Sequence, residues 1–223
     1  MSDYARDAKL HFGLLVSFLL LLVWSVIKPH DLFTWFLETA PAMIALVILI
    51  ATYRRFRLSN LVYVLIWIHA IILLVGGHYT YAEVPLFNWI RDTFHLSRNH
   101  YDRVGHFAQG FVPAIIAREV LLRKSPLKPG KLLAFIVISV CLAISAAYEL
   151  IEFGVSMATG GAGDAFLGTQ GDVWDTQRDM LMCLIGTLAA LVTLSGLHDR
   201  SLRRLLERDQ NTLHNSSTAP RDS

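Results

Sequence analysis

Six apolar runs, each long enough to cross a bilayer as an α-helix, constrain this chain more than anything else in it. A hydrocarbon core of about 30 Å takes about 20 helical residues, because without water the backbone amides and carbonyls must bond within the segment. The runs fall at residues 12–27, 32–53, 58–75, 102–122, 131–153 and 180–197. With 54% hydrophobic and only 17% charged residues, the chain has too little polar surface for a water-soluble domain. The first run follows Arg6 and Lys9 as a signal peptide would. Bulky Trp24 and Ile27 stand where a cleavage site needs small residues, so it reads as an uncleaved span. The expected fold is all-α, a polytopic membrane bundle of about six transmembrane helices. It forms a single domain over residues 1–208, and residues 209–223, which lack an apolar face, are expected as a disordered cytoplasmic tail.

Charge sets the orientation. Arg6 and Lys9, then Arg54, Arg55 and Arg57, then Arg118, Arg123, Lys124, Lys128 and Lys131, then Arg200, Arg203, Arg204, Arg208 and Arg221 would share one side. Those are 15 of the 20 lysines and arginines; only Lys28, Arg91, Arg98, Arg103 and Arg178 fall opposite. The positive-inside bias therefore predicts a multi-pass protein of the bacterial inner membrane with both termini cytoplasmic. The expected partner is the lipid bilayer. A net charge of +2, segregated in this way, gives no case for nucleic acid, and no protein partner is legible. Cys141 and Cys183 lie inside apolar runs and read as small hydrophobes, not as a disulfide.

Two long connections face outward in this scheme. The one over residues 76–101 contains Pro85, suited to a first helical turn, with Leu86, Phe87, Ile90 and Phe94 on one side and Trp89 nearby; a short interfacial helix between spans three and four is expected. The one over residues 154–177 carries Gly160-Gly161-Ala162-Gly163-Asp164, which lacks the Gly-Lys-Ser/Thr of a phosphate loop.

The chemistry-bearing residues concentrate in the second half. The first three spans hold little beyond Glu38 and His69 and read as packing. The fourth opens with Asp102, His106 and Gln109, which spacings of four and three place on one helical face. The fifth ends with Tyr148, Glu149 and Glu152, and the sixth is entered through Asp172, Asp175 and Asp179. All three sets are expected at the outer ends of their helices. Carboxylates are costly at membrane depth unless protonated, mutually bonded, bound to cations or in a wet cleft. One imidazole among carboxylates suits a divalent metal ion, with His106, Asp102, Asp172 and Asp179 as candidate ligands. Glu149, Glu152 and Asp175 are then candidates for catalysis, one glutamate serving as general base to a metal-bound water, and Gln109, His78 and Tyr148 complete the polar cleft.

Each has a bland reading. Asp172 and Asp175 can complement a helix N-terminus, Glu149 and Glu152 can be solvated helix-end residues, and Asp102 with Arg103 can be an interfacial pair. His106 can be a hydrogen-bonded core histidine. Arg118 and Glu119, far along the same helix, read as paired or snorkelling.

These same residues carry a resemblance. His78-Tyr79-Thr80-Tyr81-Ala82-Glu83-Val84-Pro85, His106-Phe107-Ala108-Gln109-Gly110-Phe111 with Pro113, Arg118-Glu119, Tyr148-Glu149-Leu150-Ile151-Glu152, and the stretch from Asp164 through Asp172 with Trp174-Asp175 resemble the YjdF-like family of bacterial inner-membrane proteins. The likeness spans most of the chain and implies a multi-pass membrane protein without supplying a reaction. The last three spans are more loosely similar to VanZ-like membrane proteins through Asp102-Arg103-Val104-Gly105-His106-Phe107, Glu149 to Glu152, and Asp179 with Cys183 and Gly186. Arg103, Glu152 and Cys183 depart from that pattern, the last by removing a polar group.

Three functions fit the residues: hydrolysis or transfer on a lipid-linked or cell-envelope substrate, cation- or proton-coupled transport, and a non-catalytic scaffold. Transporters are often built from repeats, and the apolar first half does not resemble the polar second half, which favours the first over the second.

Overall fold

The computed structural model describes residues 3–160, 166 and 168–218. Among them the chain is helical throughout, without a strand: α1 (Asp3–Val26), α2 (Leu32–Thr52), α3 (Asn60–Tyr79), a 3₁₀ turn (Tyr81–Glu83), α4 (Pro85–Thr93), α5 (Tyr101–Lys124), α6 (Lys131–Thr159) and α7 (Asp175–Thr218). The protein is a helical membrane bundle. α1, α2, α3, α6 and α7 are each long and apolar enough to cross a bilayer.

The expected fourth span, α5, is long enough but too polar to meet that standard alone, since it carries Asp102, Arg103, His106, Arg118 and Glu119. Its surroundings resolve the conflict. α5 packs most extensively on α7 and also against α3 and α6, and buried residues lie all around it, from Gly105 and His106 to Ile115, Arg118 and Glu119. Lipid-facing positions fall instead on the outer helices, where Phe12, Leu20, Val47, Phe135 and Val192 are exposed. This inversion is what a hydrocarbon solvent favours: apolar side chains cost nothing outside, and polar ones need partners inside.

Local chemistry explains the helix ends. Asp31 caps α2 by accepting the Thr34 N–H at 2.7 Å, and hydrogen bonding to Thr34, the backbone N–H first, holds its carboxyl below the usual range. Pro85 begins α4, and Gly160, at φ +59°, ends α6. Within the spans, hydroxyls satisfy themselves on the preceding turn: Ser17 donates to the Leu14 carbonyl and Ser25 to that of Leu22. The same oxygens accept the indoles of Trp67 and Trp35, pinning α3 and α2 to α1.

α5 and α7 approach closely because glycine stands at the contact. A Cβ on Gly110 would lie 1.9 Å from the Cys183 carbonyl oxygen, and one on Gly186 would lie 2.1 Å from that of Phe107. Cys141 and Cys183 are buried free thiols.

Several boundaries differ from the sequence expectation, among them α1, which begins at Asp3, and α3, which runs on to Tyr79. α6 extends to Thr159, and α7 begins at Asp175 and continues helically through residues 209–218, where a structureless tail was expected. Propagating an anchored helix costs far less than nucleating one, so polar residues follow the anchored turn. Residues 219–223 of that expected tail, and Gly161, Ala162, Gly163 and Asp164 of the glycine run, lie outside the described residues. α4 occupies the expected place of the short amphipathic helix, with Phe87 against Tyr101 and with Leu86 and Trp89 exposed.

Candidate functional site

α5 and α7 start, and α3 and α6 finish, at the same end of the bundle, which brings the sequence-selected residues into one cluster. One turn inside α5, His106 is 4% exposed; its Nε2 lies 3.4 Å from Asp102 Oδ1 and 3.8 Å from Asp179 Oδ1. One ligand atom from each of Asp102, His106 and Asp179 lies within 4.8 Å of the others. Ligands about 2.0–2.6 Å from a common ion lie about 3–5 Å apart, so the triad has the dimensions of a cation site. On the other side of the ring, Nδ1 lies 3.2 Å from Gln109 Oε1 and 3.7 Å from Glu149 Oε1. Glu149 bonds the Thr176 side chain, yet its Oε1 has no hydrogen-bond partner among the described residues. Glu152 is buried one turn further along α6, within electrostatic reach of His106, Asp102 and Asp179. The Tyr148 ring stands edge-on to His106 at 6.4 Å between centroids.

Two arginines that the sequence pattern counted only as external charge, or as an interfacial pair, organise the acids. Arg98 is 5% exposed. It donates to Asp175, to Asp102 Oδ2 at 3.3 Å, and to the carbonyls of Gly168 and Thr169. Arg103 donates to Asp179, to Asp175 Oδ1 at 2.6 Å and to Asp172 Oδ2 at 3.2 Å. Asp102 is thereby divided, Oδ2 facing Arg98 and Oδ1 facing His106. One signal was available beforehand, since Arg98 precedes Asp102 by four residues, but it lies before the helix begins.

The candidate metal set therefore narrows. Asp172 is not among the groups that converge on His106; it accepts from Arg103, from the exposed Arg178 at 2.6 Å and from the Trp174 backbone N–H at 3.1 Å. That N–H, with the neighbouring guanidinium groups, holds its carboxyl below the usual carboxylate range. Asp175 starts α7 between Arg98 and Arg103, so it is an ion-pair member rather than a free base. His78 does not join the cluster. Its ring packs on Trp24 at 4.4 Å, and its Nδ1 lies 3.1 Å from the Ser25 carbonyl, because α3 continues to Tyr79 and turns this side chain toward α1.

The sequence reading also passed over Glu38. This α2 carboxylate is 2% exposed, accepts the Tyr81 backbone N–H and interacts electrostatically with Asp102, while its Oε2 has no hydrogen-bond partner among the described residues. The link is the turn after α3. Thr80, at φ +65°, swings the Tyr81 ring over Gly76 and Gly105, where a Cβ would lie 1.7 Å and 3.0 Å from it. This gives the His78–Pro85 motif a structural meaning.

A second buried network occupies the opposite end of α5 and α7. Glu119 accepts the Ser59 N–H at 2.8 Å and an Arg123 N–H at 3.0 Å, and its Oε2 pairs with His198 Nε2 at 3.0 Å. Arg118 meets the other side of the His198 ring and Asp199 at 2.7 Å. The expected pairing of Arg118 and Glu119 is thus met inside the protein instead of at a lipid boundary.

The family described as "predicted membrane protein (DUF2238)" matches residues 10–200. The Escherichia coli (strain K12) protein "Inner membrane protein YjdF" is 50% identical over 185 residues, covering 83% of this chain and 88% of the relative. These matches bear out the YjdF-like resemblance and do not extend to the VanZ-like one. No solved structure matches.

Proposed function

This chain belongs to the DUF2238 family of predicted membrane proteins, and from that premise we propose that it is an inner-membrane protein whose outward-facing cluster holds a divalent cation through Asp102, His106 and Asp179. The observation that carries the reading is the convergence of these three groups, from two helices, within 4.8 Å, beside a buried Glu149 oxygen that has no hydrogen-bond partner among the described residues. A cation held by three protein groups keeps open positions for water and for substrate oxygens. Both termini are cytoplasmic in this reading, because the positive-inside bias places the starts of α5 and α7 on the outer face.

The reaction class is hydrolysis or transfer on a lipid-linked or cell-envelope substrate. A cation held by Asp102, His106 and Asp179 would supply Lewis acidity to an attacking water, and Glu149 would take that water's proton and pass it to the leaving oxygen as the bond to that oxygen breaks. Glu152 supports the exchange from the next turn. Arg98 and Arg103 keep Asp102 and Asp179 oriented without neutralising the whole cluster.

Metal content of the detergent-purified chain tests the reading. Wild type is expected to retain close to one divalent ion per chain after dialysis, and His106→Ala and Asp179→Asn to lose it. Equal and negligible metal in all three would overturn the proposal. Coupled transport is the second reading, favoured by the buried Glu119–His198 network on the same helix pair. It predicts ion or proton flux in proteoliposomes, which the hydrolytic reading does not.

A further inference from the structure

Where α2 starts beside the end of α3, with the His30 N–H on the His78 carbonyl, three buried oxygens take no part in the site above. Glu38 Oε2, Thr34 Oγ1 and Thr80 Oγ1 each lack a hydrogen-bond partner among the described residues. Their residues are 2%, 0% and 3% exposed, so bulk water does not serve them. The fold draws them to one place. Thr34 and Glu38 stand four apart on the buried face of α2. The Glu38 carboxylate accepts the Tyr81 N–H, which holds it against the peptide joining Thr80 to Tyr81. Thr80 keeps φ at +65°, which a β-branched residue rarely adopts, so the turn buries this hydroxyl at the cost of backbone strain.

Charge selects the kind of ligand. No lysine or arginine pairs with Glu38 among the described residues, and the acid it feels is Asp102, of like sign. A water could bond all three oxygens, but an ionised Glu38 would then still face Asp102 without a counter-charge. One carboxylate and two hydroxyls are hard oxygen donors carrying a single negative charge, which one positive charge balances. Thr80 stands at the C-terminal end of α3, the negative pole of that helix, while Asp31 caps the positive start of α2. Membrane transporters place alkali ions at helix ends of this polarity.

We infer that Glu38, Thr34 and Thr80 bind a monovalent alkali cation at the junction of α2 and α3. The ion offsets Glu38 and eases its repulsion of Asp102, which links occupancy here to the acid cluster. None of the three residues belongs to the Asp102, His106 and Asp179 set, so this site stands or falls apart from the divalent one.

Melting of the full chain in detergent, in sodium, potassium and choline chloride at equal ionic strength, tests the site, together with retention of radioactive sodium and rubidium. At least one alkali salt is expected to raise the melting temperature over choline by about 2–4 °C or more, with close to one ion retained per chain. Glu38→Gln, which keeps the side chain's size, should remove both effects. Thr80→Val, which removes only the hydroxyl, should weaken binding by about tenfold or more. Thr39→Val should keep the ion, because that hydroxyl bonds the Trp35 carbonyl at 2.7 Å. Equal melting in the three salts with no ion retained, the behaviour of a neutral carboxyl bonded to water, overturns the inference. Alkali binding that survives unchanged in Glu38→Gln and Thr80→Val overturns it too. Neither result alters the divalent metal content expected of His106→Ala and Asp179→Asn, so the two cation readings fail separately.

Discussion

At the scale of single residues, the cluster is governed by which carboxylate oxygens the two arginines occupy. Arg98 and Arg103 sit among Asp102, Asp172, Asp175 and Asp179, and burial leaves the acids few other counterions. Removing one partner of a buried pair strands the other, at a cost of about 3–5 kcal/mol. Arg98→Ala is therefore expected to lose stability on that scale, read as a lowered unfolding midpoint in detergent, whereas Arg178→Ala should change little, since Arg178 is largely exposed. Asp172 gives a pH prediction. Its carboxyl is held low in the folded state, so its contribution is complete above the ordinary range near pH 4 and fades only as pH falls through the lower folded value. Fluorescence of Trp174, as the sole tryptophan, should thus stay flat from about pH 8 to 5 and change below that range, and Asp172→Asn should remove the acid transition. The spacing of Asp102, His106 and Gln109 was legible in sequence because helical periodicity is local. Arg98, Glu38 and the exclusion of His78 were not, because each depends on which neighbour a turn or a wholly apolar helix presents.

At the scale of elements, the site depends on how closely α5 and α7 approach. Asp102, Arg103 and His106 of α5 reach Asp175 and Asp179 of α7 only because Gly110 and Gly186 let backbone meet backbone. Gly186→Ala places a methyl against the Phe107 carbonyl and should destabilise by about 1–3 kcal/mol as the pair is forced apart. The same shift separates Asp179 from Asp102, so metal retention should fall along with the melting temperature; a variant that loses stability but keeps full metal affinity would show that the helix spacing is not what sets the site. Apolar length made the spans readable from sequence, and α4 was readable from Pro85 and its apolar side. The start of α7 was not, since acidic residues at a span's edge look alike whether they lie in a loop or in the first turn. Neither was the enclosure of α5, because a run with charges at both ends has no pattern that states what will surround it.

At the scale of the whole molecule, the two halves divide the work. α1, α2 and α3 are nearly all apolar apart from residues such as Glu38 and His69, and α5, α6 and α7 supply most of the buried ionisable groups, with a cavity of about 1140 Å³ lined from both halves and reaching His106. The concentration of polar and ionisable residues in the last three spans anticipated this division, but the cavity arises from packing between distant segments and leaves no local trace. The central claim is that α5 and α7 hold one cation jointly, and pulsed electron paramagnetic resonance of Mn²⁺ on the purified chain addresses it most directly. The account predicts a nitrogen coupling to bound Mn²⁺ that disappears in His106→Ala, together with weakened Mn²⁺ binding in Asp179→Asn. Manganese bound without any nitrogen coupling, or bound equally well by all three proteins, would contradict it.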